Sequence, residues 1–226
     1  MYLDSTMLIL IPALLLTLYA QYKVRTTYTK YSQVLANNGL SGREVAEEIL
    51  VNNNLKNIKI EPIEGVLTDH YDPRVKKLGL SQEIYYGKSL AAQGIVAHEI
   101  GHALQDAVGY FPLALRNNLV PVANFGSRLA VPLFLLGFLF SIPNLMTIGI
   151  IAFSLAIFFQ VVTLPVEFNA SQRAVDLLVK GNIVTNQEEI NSVREVLNAA
   201  ALTYIAAAAV AILQLLRLVL LRRRRG

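Results

Sequence analysis

Residues 95–105 read IVAHEIGHALQ, and this stretch decides both the local fold and the chemistry that we expect of the chain. Two histidines four positions apart on a helix, His98 and His102, project from the same face one turn apart. Their imidazole nitrogens then suit tetrahedral zinc, with bonds of roughly 2.0 to 2.1 Å. Glu99 lies next to the first histidine, rotated far enough to reach a water molecule beside the metal instead of the metal itself. The stretch therefore predicts a zinc site in which Glu99 is the catalytic base.

The competing interpretation of this helix is structural, with two core histidines and a surface glutamate. Apart from the motif itself, every position from Ile95 to Leu104 is uncharged, which is expected of a helix buried beside a metal. We therefore favour the metal site. The helix is predicted to run from about Ser89 to Ala107, with Gly109 as its C-terminal cap.

A catalytic zinc needs a third protein ligand and an open position for water and substrate. The chain contains no cysteine and three histidines, so the candidates are His70 and a carboxylate. The extended form HExxHxxGxxH is absent, since Gln105 and Val108 occupy its glycine and histidine places. Glu167 fits the third place because it follows Pro165 immediately after an apolar run. Its alternative role is a charge at a helix N-terminus, stabilised by the helix macrodipole.

The composition predicts that this site belongs to a membrane protein. The 226 residues are 54% apolar, which exceeds what a soluble domain of this size usually carries. The excess lies in the runs Met7–Tyr22, Leu119–Val166 and Ala199–Leu221, and the middle run accommodates two spans joined by a turn at Ser141–Asn144. Basic residues follow the first run rather than precede it, so we expect a retained anchor and not a signal peptide. The last of the four spans is the least secure, because two polar side chains interrupt it.

The mostly polar segment between the first two spans is predicted to form a small zincin-like unit. A capping box at Ser41–Glu44 begins a helix there. From Ile58 to Tyr86, short alternating stretches separated by Pro, Gly and Asp predict a small antiparallel sheet. After the third span, we expect one amphipathic helix from about Pro165 to Lys180 and another from a capping box at Thr185–Glu188 to about Asn198.

The predicted fold class is a mainly α membrane protein with a short antiparallel sheet and the HExxH helix. The tail Arg222–Arg225 suits anionic lipid headgroups of the bilayer. Nucleic acid is not an expected partner, because no basic patch with interleaved aromatic residues occurs elsewhere. The predicted segments are residues 1–22, an N-terminal transmembrane anchor; 23–116, the zincin-like catalytic unit with the HExxH helix; 117–165, a transmembrane hairpin; 166–198, the helices that carry the third metal ligand; and 199–226, a C-terminal transmembrane helix with the basic tail.

Four separated motifs, in one order along the chain, carry a resemblance to a known family. They are LTDHYDPR at 67–74, AHEIGHALQDAVGY at 97–110, PVANFGS at 121–127 and LPVEFNASQRA at 164–174. Together with the anchor they resemble the YugP-type neutral zinc metallopeptidases over nearly the whole chain. The resemblance implies one zinc per chain and a polypeptide substrate. It also implies kinship with the glutamate-type zincins, among them the HtpX-like membrane peptidases and the CAAX prenyl protease.

The resemblance implies that in those relatives a glutamate in an ExxAD context supplies the third ligand. Glu167 occupies the equivalent position in this chain. The stretch EFNAS at 167–171 departs from that pattern, since Ser171 replaces the aspartate. The carboxylate that would orient a ligand histidine is therefore absent from this position. Ser171, Asn169 and Asp176 are the candidates to replace it through hydrogen bonds.

Two further side chains are candidates for contacts with the substrate or the transition state. His70, in LTDHYDP, suits oxyanion stabilisation or a place in the substrate cleft, whereas the competing interpretation is an exposed histidine in an Asp/Pro turn. Arg173 suits a substrate carboxylate or an oxyanion, although a salt bridge on the helix surface is the commoner role of such a residue.

We predict a zinc-dependent endopeptidase that cleaves membrane or membrane-proximal polypeptides. The alternatives are a non-catalytic zinc-binding scaffold or sensor and a transporter or assembly factor. Glu99 favours the peptidase, because a purely structural zinc site has no use for an acid/base residue between its histidines. We expect a multi-pass protein of the cell membrane with its site facing the cytoplasm. Lys23, Arg25 and Lys30 follow the first span and favour this orientation, although the C-terminal arginines favour the opposite one.

Overall fold

The computed structural model describes residues 5–223 and shows a mainly helical chain with one small sheet. This confirms the predicted fold class, except for the direction of one strand. After a 3₁₀ turn at Ser5–Leu10, the described part contains seven α helices and three strands. They are α1 (Ile11–Ser32), α2 (Gly42–Asn52), β1 (Lys59–Ile63), β2 (His70–Asp72), β3 (Lys77–Ser81), α3 (Gln82–Tyr86), α4 (Leu90–Ala107), α5 (Phe111–Leu139), α6 (Pro143–Lys180) and α7 (Gln187–Arg223). Residues 1–4 of the predicted anchor, and Arg224 and Arg225 of the predicted basic tail, lie outside the described residues.

Among the residues that the structure describes, four helical segments are long and apolar enough to cross a membrane. They are Thr6–Ser32, Phe111–Leu139, Pro143–Lys180 and Gln187–Arg223. The prediction of four candidate spans is confirmed. The span in α7 has a higher mean hydropathy than those in α1 and α5, although the helix contains Gln214 and Arg217. The expected weakness of the last span is therefore not observed.

The chain divides into two compact units, which we call the helical unit and the mixed unit. Among the described residues, the helical unit contains 5–21, 111–165 and 202–223. The mixed unit contains Tyr22–Tyr110 and Val166–Ala201, and the whole sheet belongs to it.

In the helical unit, α5 and α6 pack at close range. Phe134 of α5, Met146 of α6 and Leu218 of α7 form a buried apolar cluster. Gly149 permits the approach, because a Cβ at this position would lie 2.7 Å from the backbone nitrogen of Phe134 and 2.8 Å from the carbonyl oxygen of Ala130. Small residues at such positions let helix backbones come together in membrane proteins.

The core of the mixed unit is built mainly from α2, α4 and the sheet. The predicted capping box begins α2: the Oγ of Ser41 accepts from the N–H of Glu44 at 3.3 Å, and the Oε2 of Glu44 accepts from the N–H of Ser41 at 2.7 Å. The buried face of α2 joins one apolar cluster with β3, α4 and α7, and its burial fixes α4 within the unit. The main members of this cluster are Val45, Ile49, Leu50, Leu78, Leu80, Val96, Ile100 and Val193.

The sheet is mixed, so the prediction of an antiparallel sheet is wrong. β3 lies in the centre, antiparallel to β2 and parallel to β1. β2 and β3 are joined by the short turn 73–76 and form a hairpin, whereas segment 64–76 as a whole serves as the crossover between the parallel strands β1 and β3. Alternation of apolar and polar residues marks a strand but carries no information about the direction of its neighbour.

Two of the stretches predicted as strands have other structures. GVLTD at 65–69 is a loop in which Gly65 and Leu67 have positive φ angles of 103° and 54°, which interrupt extended pairing. EIYY at 83–86 belongs to α3, where Ile84 and Tyr85 are buried. A short apolar run suits a buried helical turn as well as a strand, so its pattern cannot distinguish the two.

The helix predicted to begin near Pro165 is instead the second half of α6, which continues through this residue. The proline removes one backbone hydrogen bond. The helix does not end there because Val166 and Ala170, on the following turns, are completely buried and packing holds them in place.

The helix predicted after Thr185 is the beginning of α7, and it does not end near Asn198 but continues to Arg223. Its cap is Asn186, whose Oδ1 accepts the N–H of Glu188 at 3.0 Å. The cap therefore lies one residue later than predicted. Asparagine and threonine both suit the N-cap position, so composition alone does not choose between neighbours.

Candidate metal centre

The HExxH helix is α4, and both of its ends are formed as the sequence predicts. The Oγ of Ser89 accepts the N–H of Ala92 at 3.2 Å and so caps the first turn. Beyond the last turn, Gly109 has a φ of 62°, and the N–H groups of Gly109 and Tyr110 donate back to the helix at 3.1 and 2.8 Å. This pair of bonds is a Schellman cap, which makes use of the glycine's freedom to adopt positive φ.

The backbones of α4 and α6 lie in close contact within the mixed unit. A Cβ added to Gly101 would lie 2.6 Å from the carbonyl oxygen of Ala170, so a larger residue at position 101 would force the helices apart. Ala170 and Ala174 are completely buried along the same part of α6. This approach brings Glu167, at the start of that segment, to the histidine face of α4.

His98, His102 and Glu167 converge on one point. The Oε2 of Glu167 lies 3.3 Å from the Nε2 of His98 and 3.6 Å from the Nε2 of His102. The two imidazole rings are 4.8 Å apart and nearly perpendicular, at 87°. Glu167 is only 3% exposed, so its carboxylate faces these rings rather than solvent. We call these three residues the His/His/Glu cluster.

The cluster fits a zinc ion in donor type and in spacing. Two imidazole nitrogens and one carboxylate oxygen lie within 4.8 Å of one another. A tetrahedral zinc with bonds of about 2.0 to 2.1 Å separates its ligand atoms by roughly 3.3 to 3.4 Å, which is close to the nitrogen–oxygen distances in the cluster. A buried carboxylate loses its hydration, which costs free energy. A divalent cation bound to it would offset this cost by compensating its charge.

The Nδ1 atom of each histidine in the cluster is hydrogen-bonded, and this orients both Nε2 atoms toward Glu167. The Nδ1 of His98 lies 3.2 Å from the Oγ of Ser171, and the Nδ1 of His102 lies 3.0 Å from the Oε1 of Gln105. Ser171, which stands in place of the aspartate of the ExxAD pattern, thus does contact a histidine of the cluster. Bonds of this kind fix the ring orientation of metal-binding histidines.

Asn169 and Gln105 form the next layer around the cluster. The Oδ1 of Asn169 accepts from the Nε2 of Gln105 at 3.0 Å and not from a histidine. Sequence reasoning missed Gln105 because it considered this position only as a missing glycine. The available signal was its spacing, since a residue three positions after His102 lies on the same face of the helix.

Glu99 is held by the sheet. Its Oε2 accepts the backbone N–H of Tyr71, in strand β2, at 3.0 Å. Burial raises the pKa of Glu99, and the neighbouring charges of His102 and His98 offset only part of this effect. Burial acts in the opposite direction on His102, but the hydrogen bond to Glu167 and the charge of Glu99 outweigh it and raise the pKa of this imidazole. The surroundings therefore favour positive charge at the cluster.

A second contact joins β2 and its turn to α4. The Oη of Tyr71 donates to the Oδ2 of Asp106 at 2.8 Å, and the Nζ of Lys76 forms an ion pair with the same oxygen. Asp106 lies one turn beyond His102. The strand that contacts Glu99 is therefore attached to α4 at two points.

The remaining predicted residues are not brought into the cluster. His70 is exposed, and its Nδ1 lies 2.9 Å from the carbonyl oxygen of Thr68. Asp176 contacts two side chains of α6 itself, the Nε2 of Gln172 at 3.1 Å and the Nζ of Lys180 at 4.0 Å. Substitution of the missing aspartate by Asp176 is thus without support in the geometry, and the role of His70 stays a prediction.

Arg173 is linked to the cluster through two intervening residues, Asn169 and Gln105. Its Nε donates to the Oδ1 of Asn169 at 2.8 Å, and its guanidinium lies 6.0 Å from the ring of Tyr110. It also lines a cavity of about 570 Å³ together with Leu104 and Lys180, and none of the three cluster residues lines that cavity. Its predicted contact with substrate stays a prediction.

A buried carboxylate faces two histidines of an HExxH helix, and the described residues include four candidate spans. These features define the class as a candidate membrane protein with a His₂Glu cluster that could hold a metal ion. The family described as "Putative neutral zinc metallopeptidase" matches residues 6–223, so the chain belongs to this family. The chain is also similar to "Putative membrane protease YugP" from Bacillus subtilis (strain 168), with 49% identity over 211 residues that cover 93% of each protein. No solved structure matches the chain. The resemblance inferred from the sequence motifs is confirmed.

Proposed function

We propose that the chain is a zinc-dependent endopeptidase of the membrane, with His98, His102 and Glu167 as the ligands of one zinc ion and Glu99 as the general base. The family supplies the reaction class. The observation that carries the assignment of residues is the convergence of two Nε2 atoms on one buried carboxylate oxygen. Ser171 supports His98 from the outside of the cluster.

The catalytic step needs a base held at a fixed angle to the bound peptide. Zinc, when bound, supplies Lewis-acid chemistry that polarises the peptide carbonyl and favours the attack of water. Glu99 accepts the proton of the attacking water at its carboxylate and donates it to the amine nitrogen that leaves. The N–H of Tyr71 fixes the direction of that carboxylate. A non-catalytic zinc scaffold would gain nothing from this arrangement.

Metal content tests this proposal directly. Detergent-purified wild type should contain about one zinc per chain, and His98→Ala and Glu167→Ala should lose it because a ligand atom is removed. His70→Ala is the matched control for the histidine, since His70 is exposed outside the cluster. Glu189→Ala is the matched control for the carboxylate, since Glu189 is buried in the same unit and accepts from the N–H of Asn37 at 2.8 Å.

Both controls should keep their zinc. Folded wild-type protein without stoichiometric zinc would overturn the proposed metal site. Equal loss of zinc in the controls would instead attribute the effect to general destabilisation of the mixed unit.

The proposed substrates are membrane or membrane-proximal polypeptides, and the proposed orientation places the mixed unit in the cytoplasm. The four candidate spans found in residues 5–223 support the membrane location. The orientation rests on Lys23, Arg25 and Lys30, which lie in the C-terminal part of α1, beyond the apolar run Met7–Tyr22.

The absence of cysteine from the sequence permits a clean test of orientation. The side chain of Arg43, in α2, is 53% exposed, so Arg43→Cys creates one accessible thiol in the mixed unit. A membrane-impermeant maleimide should label this thiol only after the cells are opened. Labelling in intact cells would show the opposite orientation.

A further inference from the structure

Gln105 is a completely buried glutamine one turn beyond His102 on α4. A buried amide needs partners for both its oxygen and its nitrogen, because an unsatisfied polar group is costly in the interior. Its Oε1 lies 3.0 Å from the Nδ1 of His102. Its Nε2 donates to the carbonyl oxygen of Val166 at 2.8 Å and to the Oδ1 of Asn169 at 3.0 Å.

The surroundings fix which end of the amide faces the histidine. The carbonyl oxygen of Val166 only accepts hydrogen bonds, so it requires the nitrogen of Gln105 on its side. The orientation of Asn169 is fixed in the same way, because its Oδ1 also accepts from the Nε of Arg173, which only donates. A reversed Gln105 would place oxygen against oxygen at both contacts. The Oε1 of Gln105 must therefore be the atom that faces His102.

An amide oxygen only accepts, so the Nδ1 of His102 must carry the proton in this bond. In the neutral imidazole, the Nε2 then has its lone pair on the side of Glu167, where a metal ion would accept it. The partner of His98 has no such restriction, because the hydroxyl of Ser171 both donates and accepts. The two histidines of the cluster thus differ in how firmly their tautomers are determined.

We infer that Gln105 is a positioning residue, whose carbonyl oxygen holds His102 as the Nδ1–H tautomer and directs its Nε2 toward the metal. The inference rests on the proposed zinc site. It assigns to this glutamine the support that the aspartate of the ExxAD pattern cannot give here, and it does so for the other histidine. The chain of bonds that fixes the glutamine runs back through Asn169 to Arg173.

The test compares two glutamines of the same helix in full-length, detergent-purified protein. Gln105→Met keeps the length of the side chain and removes the acceptor. Gln93→Met is the matched control, because Gln93 is also completely buried on α4 but bonds to Asn38 and Leu40 instead of a histidine. Zinc dissociation constants are measured by competition with a chelator.

Imidazole ¹⁵N–¹H spectra supply a second readout, which a purely structural role would not change. The sequence has only three histidines, so His70→Ala and His98→Ala identify the signals of His102. The spectra are recorded on zinc-free protein at a pH where the imidazoles are neutral.

We expect Gln105→Met to weaken zinc binding by roughly 10- to 100-fold, as loss of outer-shell partners does elsewhere, and Gln93→Met to leave it nearly unchanged. His102 of the wild type should show the Nδ1–H pattern and should lose it in Gln105→Met. Equal weakening in both methionine variants, or an unchanged tautomer in Gln105→Met, would overturn the inference.

If Gln105→Met does not fold, the wild-type spectrum decides the question, and an Nε2–H pattern of His102 in the wild type overturns the inference. Failure of the wild type to bind zinc would overturn the proposed function instead. The tautomer of His102 in zinc-free protein can be read in either case, so the two failures are distinguishable.

Discussion

The mixed unit and the helical unit use the same packing device for different ends. In each, a glycine lets two helix backbones approach to a distance that a Cβ would prevent, at Gly101 against Ala170 and at Gly149 against Phe134. Around Gly101 the neighbouring side chains include the His/His/Glu cluster and its hydrogen-bonded partners. Around Gly149 the nearby cluster is apolar. We therefore expect close packing to position the cluster in the mixed unit and to affect mainly stability in the helical unit.

The largest effect should come from a change that alters the chemistry of the mixed unit without altering its packing. Glu99→Gln removes the proton acceptor but keeps the size of the side chain and an oxygen for the N–H of Tyr71. We expect the turnover of a fluorogenic unfolded polypeptide to fall by about 10²- to 10⁴-fold, with zinc content unchanged. Glu195→Gln is the control, a glutamate of the mixed unit that pairs with Lys23 at 2.9 Å.

Turnover by a zinc-replete Glu99→Gln preparation at a rate close to wild type would remove Glu99 from the mechanism. A wild type that itself shows no cleavage would instead favour a scaffold role. Without cleavage by wild type, the mixed unit would differ from the helical unit in metal binding but not in acid–base chemistry.

A smaller effect is expected where packing and chemistry are joined. In Gly101→Ala the new Cβ would lie 2.6 Å from the carbonyl oxygen of Ala170, so α4 and α6 must separate. Overpacking of this kind costs about 1–3 kcal/mol of folding free energy, which the better helix propensity of alanine offsets in part. Because Glu167 lies on the displaced helix, zinc affinity should fall together with the thermal midpoint. A lower midpoint with unchanged zinc affinity would show that the cluster tolerates the shift.

The parts of the cluster that depend on local sequence could be predicted. The spacing of His98 and His102 fixes a common helix face wherever the helix lies, and Ser89 and Gly109 mark its ends. Glu167 could be expected from its place after an apolar run. The bonds from Gln105 to Val166 and Asn169 could not, because they depend on the distance between α4 and α6, which no periodic pattern records.

The dependence on contacts between distant elements also explains the errors in the predicted fold. The sheet order depends on the path of the chain from β1 to β3, and alternation of residues describes each strand only by itself. The continuation of α6 through Pro165 depends on burial of the turns beyond it, which compensates for the lost hydrogen bond. Sequence thus predicts which residues share a face, while packing decides what that face meets.

The smallest effect on the site should come from the matching change in the helical unit. In Gly149→Ala the new Cβ would lie 2.7 Å from the nitrogen of Phe134, so the strain and the gain in helix propensity resemble those at Gly101. We expect a comparable fall in the thermal midpoint but no change in zinc affinity, because the apolar cluster of Phe134, Met146 and Leu218 contains no ligand atom. Zinc dissociation constants of the two alanine variants, measured side by side, test this difference. Equal weakening of zinc binding in Gly101→Ala and Gly149→Ala would show that packing in the helical unit is coupled to the metal centre. The separation of roles between the two units would then be wrong.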